Sequence, residues 1–490
     1  MNVTYPEGME HIATTRTESD SLGSREIPAD AYWGIHTLRA RENFDITKRE
    51  ISVYSELVTA LAMVKQAAAR ANKQVGALDA DRADLIDRAS QRVIDGEFHD
   101  QFAVGVIQGG AGTSTNMCAN EVITNVALEM AGREKGDYAY LSPTDHTNRS
   151  QSTNDVYPTA LKIGILLAHV SQLEELDKLS QAFSAKGREF NDILKVGRTQ
   201  LQDAVPMTLG QEFHGFATTL REDLQRLTDN SVLLHEINMG ATAIGTGINV
   251  TPGYGESVRR HLSEISGLPL RTAGDLIEAT SDTGAFMSFS SSIKRSAIKL
   301  SKICNDLRLL SSGPQAGFGE INLPAKQAGS SIMPAKVNPV IPEVVNQVAF
   351  AVVGNDMTVT MAAEAGQLQL NAFEPVIGHA LFQSITWMRQ AMRTLRVNCV
   401  DGITANTERL GAMVGQSVGV ITALTPYIGY SSAAALAKTA LLTGKDVADL
   451  VVEAGLMDRA EVTKRLRPGR LIGLEPATTA IPIIAPEDLP

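Results

Sequence analysis

Phe286, Phe289, Ile293, Ala297, Leu300, Cys304 and Leu307 recur at steps of three and four residues, and the run stops only at Gly313-Pro314. That spacing puts all of them on one face of a helix. The same periodicity fills Tyr157 to about residue 190, Met207 to about residue 237, Val344 to about residue 370 and Gly378 to about residue 400. An ordinary helix has ~11–12 residues, so these spans are roughly two to three times longer. Helices of that length bury their apolar faces on one another and on neighbouring subunits. The expected fold is mainly α.

Aromatic residues make up only 5% of the 490-residue chain. The core therefore rests on Ala, Leu, Ile and Val, which suits packed helices better than a β-sandwich. The length exceeds what one hydrophobic core organises, so two or three domains are expected. Residues 1–50 are mixed and polar, and a helical pattern begins with Leu57, Ala60, Leu61, Val64, Ala67, Ala68 and Ala71. A mixed, mostly helical N-terminal domain is expected over residues 1–151, a central helical bundle over 152–404 and a small helical C-terminal domain over 405–490. The last of these ends in a loose, proline-rich tail from Pro468. Gly240, Gly245, Gly247, Pro252 and Gly253 make the stretch between residues 240 and 254 irregular or extended.

With 44 basic and 55 acidic residues the net charge is −11, a poor match for a nucleic-acid backbone. A small anion held by a few local donors remains compatible with it. Cys118, Cys304 and Cys399 are far apart, form no CxxC pattern and read as buried, inert thiols of a reducing compartment. The first twenty residues have no apolar signal core, and no apolar run reaches the ~18 residues of a membrane span. A cytoplasmic location without membrane attachment is expected.

The most informative segment is Gly329-Ser330-Ser331-Ile332-Met333-Pro334-Ala335-Lys336-Val337-Asn338-Pro339. Lys336 and Asn338, two apart in an extended stretch, share a face and could clamp a carboxylate. The same residues also suit a glycine-serine connector with a solvated lysine. A second segment, Gln108 to Asn116, is a glycine-rich bend full of hydroxyls, which lets backbone approach a ligand closely.

The Gly329–Pro339 segment resembles the signature loop of the fumarase/aspartase superfamily, GSSxMPxKxN. Gly112-Thr113-Ser114, Gln151-Ser152-Thr153-Asn154-Asp155 and Gly197-Arg198-Thr199-Gln200-Leu201-Gln202-Asp203-Ala204 are similar to three further motifs of that superfamily. The resemblance extends over residues 21 to 460. It implies a three-domain fold whose central long-helix bundle assembles in a homotetramer, with each active site shared between subunits. It also implies anti-elimination from a succinyl-type dicarboxylate, releasing fumarate through an aci-carboxylate intermediate. Ser330 would be the general base, activated by its site because serine is a weak base at its ordinary pKa. Thr113, Ser152, Thr153, Asn154, Thr199, Ser331, Lys336 and Asn338 would bind substrate. Hydroxyl donors suit this chemistry, since removing a proton beside a carboxylate leaves two negative charges there.

Within the superfamily, Ile35 to Phe44, Glu320-Ile321-Asn322-Leu323-Pro324 and Val340 to Gln347 resemble the ammonia-lyase branch, which acts on L-aspartate. Gln200 stands where many members carry His. Expelling hydroxide needs a proton donor, whereas an ammonium leaves as neutral ammonia without one. Gln200, which cannot titrate, therefore fits deamination. Class II fumarase and a non-catalytic lens-crystallin-like protein are the alternatives. Ser142-Pro143-Thr144 departs from the fumarase pattern for a secondary anion site, and His146 reads either as a ligand contact or as a hydrogen-bonding residue of the fold. The histidines form no metal-binding cluster, and the glycine-rich stretches lack a dinucleotide-binding context, so no metal and no cofactor are expected.

Overall fold

The computed structural model describes residues 14–472. The expectation of a missing signal core falls partly, and that of a loose tail mostly, outside those residues. The five long periodic runs form the helices Thr153–Glu189, Leu209–Ser231, Gly284–Leu310, Val340–Glu364 and Glu374–Asn398. The last two start four residues before the patterns do, at Val340 and Glu374. The first turn of Val340–Glu364 carries Glu343, an acidic residue that suits the positive end of the helix dipole. Strands are confined to two-stranded ribbons among the described residues. The fold is mainly α, as expected.

The chain packs as two compact units, and the division falls within each of the five long helices. One unit comprises the described part of residues 1–173 with 225–297 and 350–389. Its centre is the helix Ser55–Gln74, which buries Leu57, Val58, Ala60, Leu61, Val64, Ala67, Ala68 and Ala71 against Ala80–Ile94 and Tyr254–Ser266. The glycine-rich stretch after Ile237 is irregular up to Tyr254, as its composition requires.

The other unit comprises residues 174–224, 298–349 and the described part of 390–490. Phe183, Phe190, Phe213 and Phe216 pack there with ring centroids 5.2–6.0 Å apart. An antiparallel hairpin, Leu194–Thr199 with Gln202–Thr208, stands beside them, and Ile321–Asn322 pairs with Thr404–Ala405. Short helices from Thr407 onward enclose a small apolar centre of Leu424, Val451 and Val462 with their neighbours. All three cysteines are buried and free. Burial pushes the Cys118 and Cys399 thiols up to about 12, which agrees with inert thiols.

Candidate active site

Gly112 lies at φ 86, a conformation natural to glycine, and directly precedes the helix Thr113–Met130. A Cβ on Gly112 would lie 2.3 Å from Cδ1 of Tyr157. The close approach seats the first motif on the helix Thr153–Glu189, which begins inside the second. Gln108 Oε1 accepts from the Thr115 N–H and hydroxyl, each at 3.1 Å, so a side chain satisfies the first turn. Thr113 sits exposed at the helix start, its hydroxyl donating to Gly110 O at 2.7 Å.

The second motif is held from behind by two buried charges. Lys65 Nζ donates to Asn116 Oδ1 at 2.6 Å, Gln151 Oε1 at 2.8 Å and Asn148 Oδ1 at 3.1 Å. Asn116 Nδ2 in turn donates to Thr153 Oγ1 at 3.1 Å. Asp155 accepts from the backbone N–H groups of Ser152, Gly240 and Thr242 at 3.0–3.1 Å. Burial lowers Lys65 to about 7 and raises Asp155 to about 6, and each charge partly offsets the shift of the other. Asn154 Nδ2 donates to Ala243 O at 2.7 Å, which ties the motif to the glycine-rich stretch. Ser152 Oγ accepts from the Asn154 N–H at 3.2 Å. Thr113, Ser152, Thr153 and Asn154 are thus brought together in one unit. His146 belongs to the local turn there, its Nδ1 accepting from the Ser142 N–H at 2.8 Å.

The other unit carries the remaining candidates on two features. Thr199 and Gln200 are exposed at the hairpin tip, where Gln200 and Leu201 lie at φ 52 and 63. Two adjacent residues at positive φ make the tight turn that suits strand twist, here without the usual Asn-Gly. The second feature is the loop from Gly329 to Asn338. Its neck is closed by Gly329 N–H to Lys336 O at 2.8 Å and by Asn338 Nδ2 to Gly329 O at 2.7 Å. A Cβ on Gly329 would fall 2.5 Å from Lys336 O, so only glycine permits this closure.

Inside the loop, Ser330 Oγ accepts from the N–H groups of Ile332 at 3.1 Å and Met333 at 2.9 Å. Two backbone donors aimed at one oxygen stabilise negative charge on it. Ser331, Ile332, Met333 and Lys336 face solvent. An open groove of about 1080 Å³ beside the loop is lined by Lys336, Asn338, Arg308, Asn322 and Arg409. Asn338, read as a substrate clamp, has its amide N–H engaged at the loop neck. Lys336 is the exposed cation of the pair.

Lys65 and Asn116 escaped the sequence reading. Lys65 lies four residues after Leu61 and three before Ala68, so a charge on the apolar stripe of its helix was the available signal.

The chain matches the lyase family over residues 23–354 and the fumarase C C-terminal family over residues 420–473. It is 59% identical over 465 residues to aspartate ammonia-lyase of Pseudomonas aeruginosa, covering 95% of this chain and 98% of that protein. The enzyme of the same name from Escherichia coli is 53% identical, with 91% and 94% covered. This chain belongs to the aspartate ammonia-lyase family.

Among solved structures, the family resemblance extends to a Brucella melitensis protein described as fumarate lyase:delta crystallin. That structure is 54% identical, with a TM-score of 0.91 over 94% of this chain and all of the other. A class II fumarase from Schistosoma mansoni is more distant in sequence, 31% identical, yet similar in fold with a TM-score of 0.89. The residues matched to the lyase family, 23–354, span the positions of all the motifs described above. Among the described residues no group of three or more His, Cys, Asp and Glu is placed to hold a metal, and no helix is long and apolar enough to cross a membrane.

Proposed function

We propose that this protein converts L-aspartate reversibly to fumarate and ammonia. The observation that carries the reading is identity of 53–59% with aspartate ammonia-lyases across 91–95% of the chain. The loop geometry supports the chemistry. Ser330 Oγ, once deprotonated, is an alkoxide stabilised by the Ile332 and Met333 N–H groups, and it takes the proton beside the substrate carboxylate. The electrons pass into that carboxylate, and the hydroxyls of Thr113, Ser152, Thr153 and Ser331 bear the added charge. The carbon–nitrogen bond then breaks with its electron pair going to nitrogen, so neutral ammonia leaves. Lys336 holds the second carboxylate. Thr199, Gln200 and Asn154 orient the substrate without a proton transfer.

The homotetramer is part of the same proposal. Phe350, Val353, Met357 and Met361 form an exposed apolar stripe on the helix Val340–Glu364, with Phe350 and Met361 each 66% exposed. Such a stripe calls for partner helices. Each site then takes Thr113, the Ser152–Asn154 turn, the Thr199 tip and the Ser330 loop from more than one chain. Three free, buried thiols suit a reducing compartment, and we place the enzyme in the cytoplasm.

Mixing the purified protein with L-aspartate or with L-malate and following fumarate absorbance tests the reaction. Signal from malate alone replaces the reading with fumarase, and signal from neither favours a structural protein. Ser330→Ala loses about 10²- to 10⁴-fold in kcat, and near wild-type turnover removes Ser330 as the base. Dissociated and reassociated mixtures of Ser330→Ala and Thr153→Ala recover activity if sites are shared. An active monomer overturns the shared site.

A further inference from the structure

Glu320 is fully buried, and its two carboxylate oxygens are taken by two cations of one strand. Oε2 lies 2.7 Å from Lys195 Nζ, and Oε1 lies 2.5 Å from Arg198 NH1. Lys195 also reaches Glu212 at 2.7 Å, so the cluster holds two positive and two negative side chains. The Arg198 guanidinium lies 4.1 Å over the Phe318 ring, which fixes its plane as well as its charge. The residue after Arg198 is Thr199, and the tip beyond it holds Gln200 and Leu201 at positive φ. Non-glycine residues persist in that region when their surroundings over-determine them.

Glu320 is a fixed post. Its N–H donates to Leu310 O at 2.9 Å, and its carbonyl accepts from the Asn406 N–H at 2.9 Å. The strand Ile321–Asn322 that follows pairs with Thr404–Ala405. A carboxylate held on both sides by backbone therefore grips the base of the Thr199–Gln200 tip. We infer that Glu320 is a positioning residue for the elimination, setting the Thr199–Gln200 turn through Lys195 and Arg198. The inference rests on the reading above that this turn orients substrate.

A double-mutant cycle on the full-length protein tests it. Glu320→Gln lowers kcat by about 10- to 100-fold. In the Thr199→Ala background the same change costs less than about threefold, because the group being positioned is already gone. A general loss of folded enzyme would multiply with the Thr199→Ala loss instead, and multiplied losses overturn the inference. Should Glu320→Gln fail to fold, Arg198→Lys keeps the charge balance while removing the planar grip. A roughly tenfold loss of kcat is expected there, and wild-type turnover in Arg198→Lys overturns the inference. Wild-type protein assayed in parallel separates the two readings. Fumarate from malate but not aspartate defeats only the substrate assignment, and the cycle then runs on malate. Without turnover, amide exchange reports the same grip: unchanged exchange at residues 199–202 in Glu320→Gln overturns it.

Discussion

Lys65 Nζ lies 2.6 Å from Asn116 Oδ1, and the three oxygens to which this buried ammonium donates all belong to neutral amides. Its charge is supported electrostatically by Asp155. The charge therefore organises dipoles, and those dipoles place Thr153.

The link from Asn116 to the Thr153 hydroxyl predicts a binding defect. Asn116→Ala removes the 3.1 Å donor to Thr153 Oγ1 and one of the Lys65 acceptors. A lost bond of this kind is worth ~1–3 kcal/mol, so KM for aspartate is expected to rise about tenfold or more. Steady-state kinetics decide it, and an unchanged KM would show that Thr153 is placed by other means.

Gly112 predicts a fold defect. Gly112→Ala drives a Cβ into Tyr157 and forces alanine to φ 86. Overpacking and left-handed strain together are expected to cost ~2–4 kcal/mol. Urea denaturation should show a lower midpoint, partly restored by a smaller residue at position 157. A stability equal to wild type would mean that the helix start shifts freely.

Gly329 predicts an activity defect without a fold defect. In Gly329→Ala the Lys336 carbonyl must move away and the loop neck opens, while residues 331–337 are already exposed and pack against no core. A kcat loss of about 10- to 100-fold is expected with an unchanged melting temperature. Wild-type turnover would show that neck closure is dispensable.

Glu374 predicts a pH effect on stability. Burial raises its carboxyl from 4.5 to about 8, with Lys162 pulling the other way, and its charge also acts on buried Tyr157. Between those values the native state holds more protons than the unfolded chain. The contribution of Glu374 to stability therefore falls as pH rises through that window, and the loss is complete above it. At ~1.4 kcal/mol per pH unit, the loss amounts to a few kcal/mol. Glu374→Gln should melt with wild type near pH 5 and several degrees higher at pH 9. Parallel melting curves across that range would remove Glu374 as the source.

The periodic apolar runs located the five long helices to within a few residues at most ends. Phe286 to Leu307 is the plainest case, since its helix is Gly284–Leu310. The largest discrepancies are two C-terminal ends: the pattern ran on to about residue 370 past Val340–Glu364, and to about residue 237 past Leu209–Ser231. After Ser231 the chain tightens into a 3-10 turn at Val232–His235 and then extends. Periodicity alone does not separate that tightening from continued helix. The motif residues were equally legible as types, because hydroxyls, Lys336 and Gln200 carry their chemistry with them.

The positions of partners were not legible. Nothing local in the sequence ties Lys65 to Asn116 or Glu320 to Lys195 and Arg198, which lie more than a hundred residues from Glu320. The amino-acid sequence by itself determined the helices and the inventory of donors, because helix periodicity and side-chain chemistry are local properties. Only the tertiary structure decided which buried charge stands behind which motif hydroxyl. A buried charge is tolerated solely where folding supplies its partners, and those partners come from distant parts of the chain.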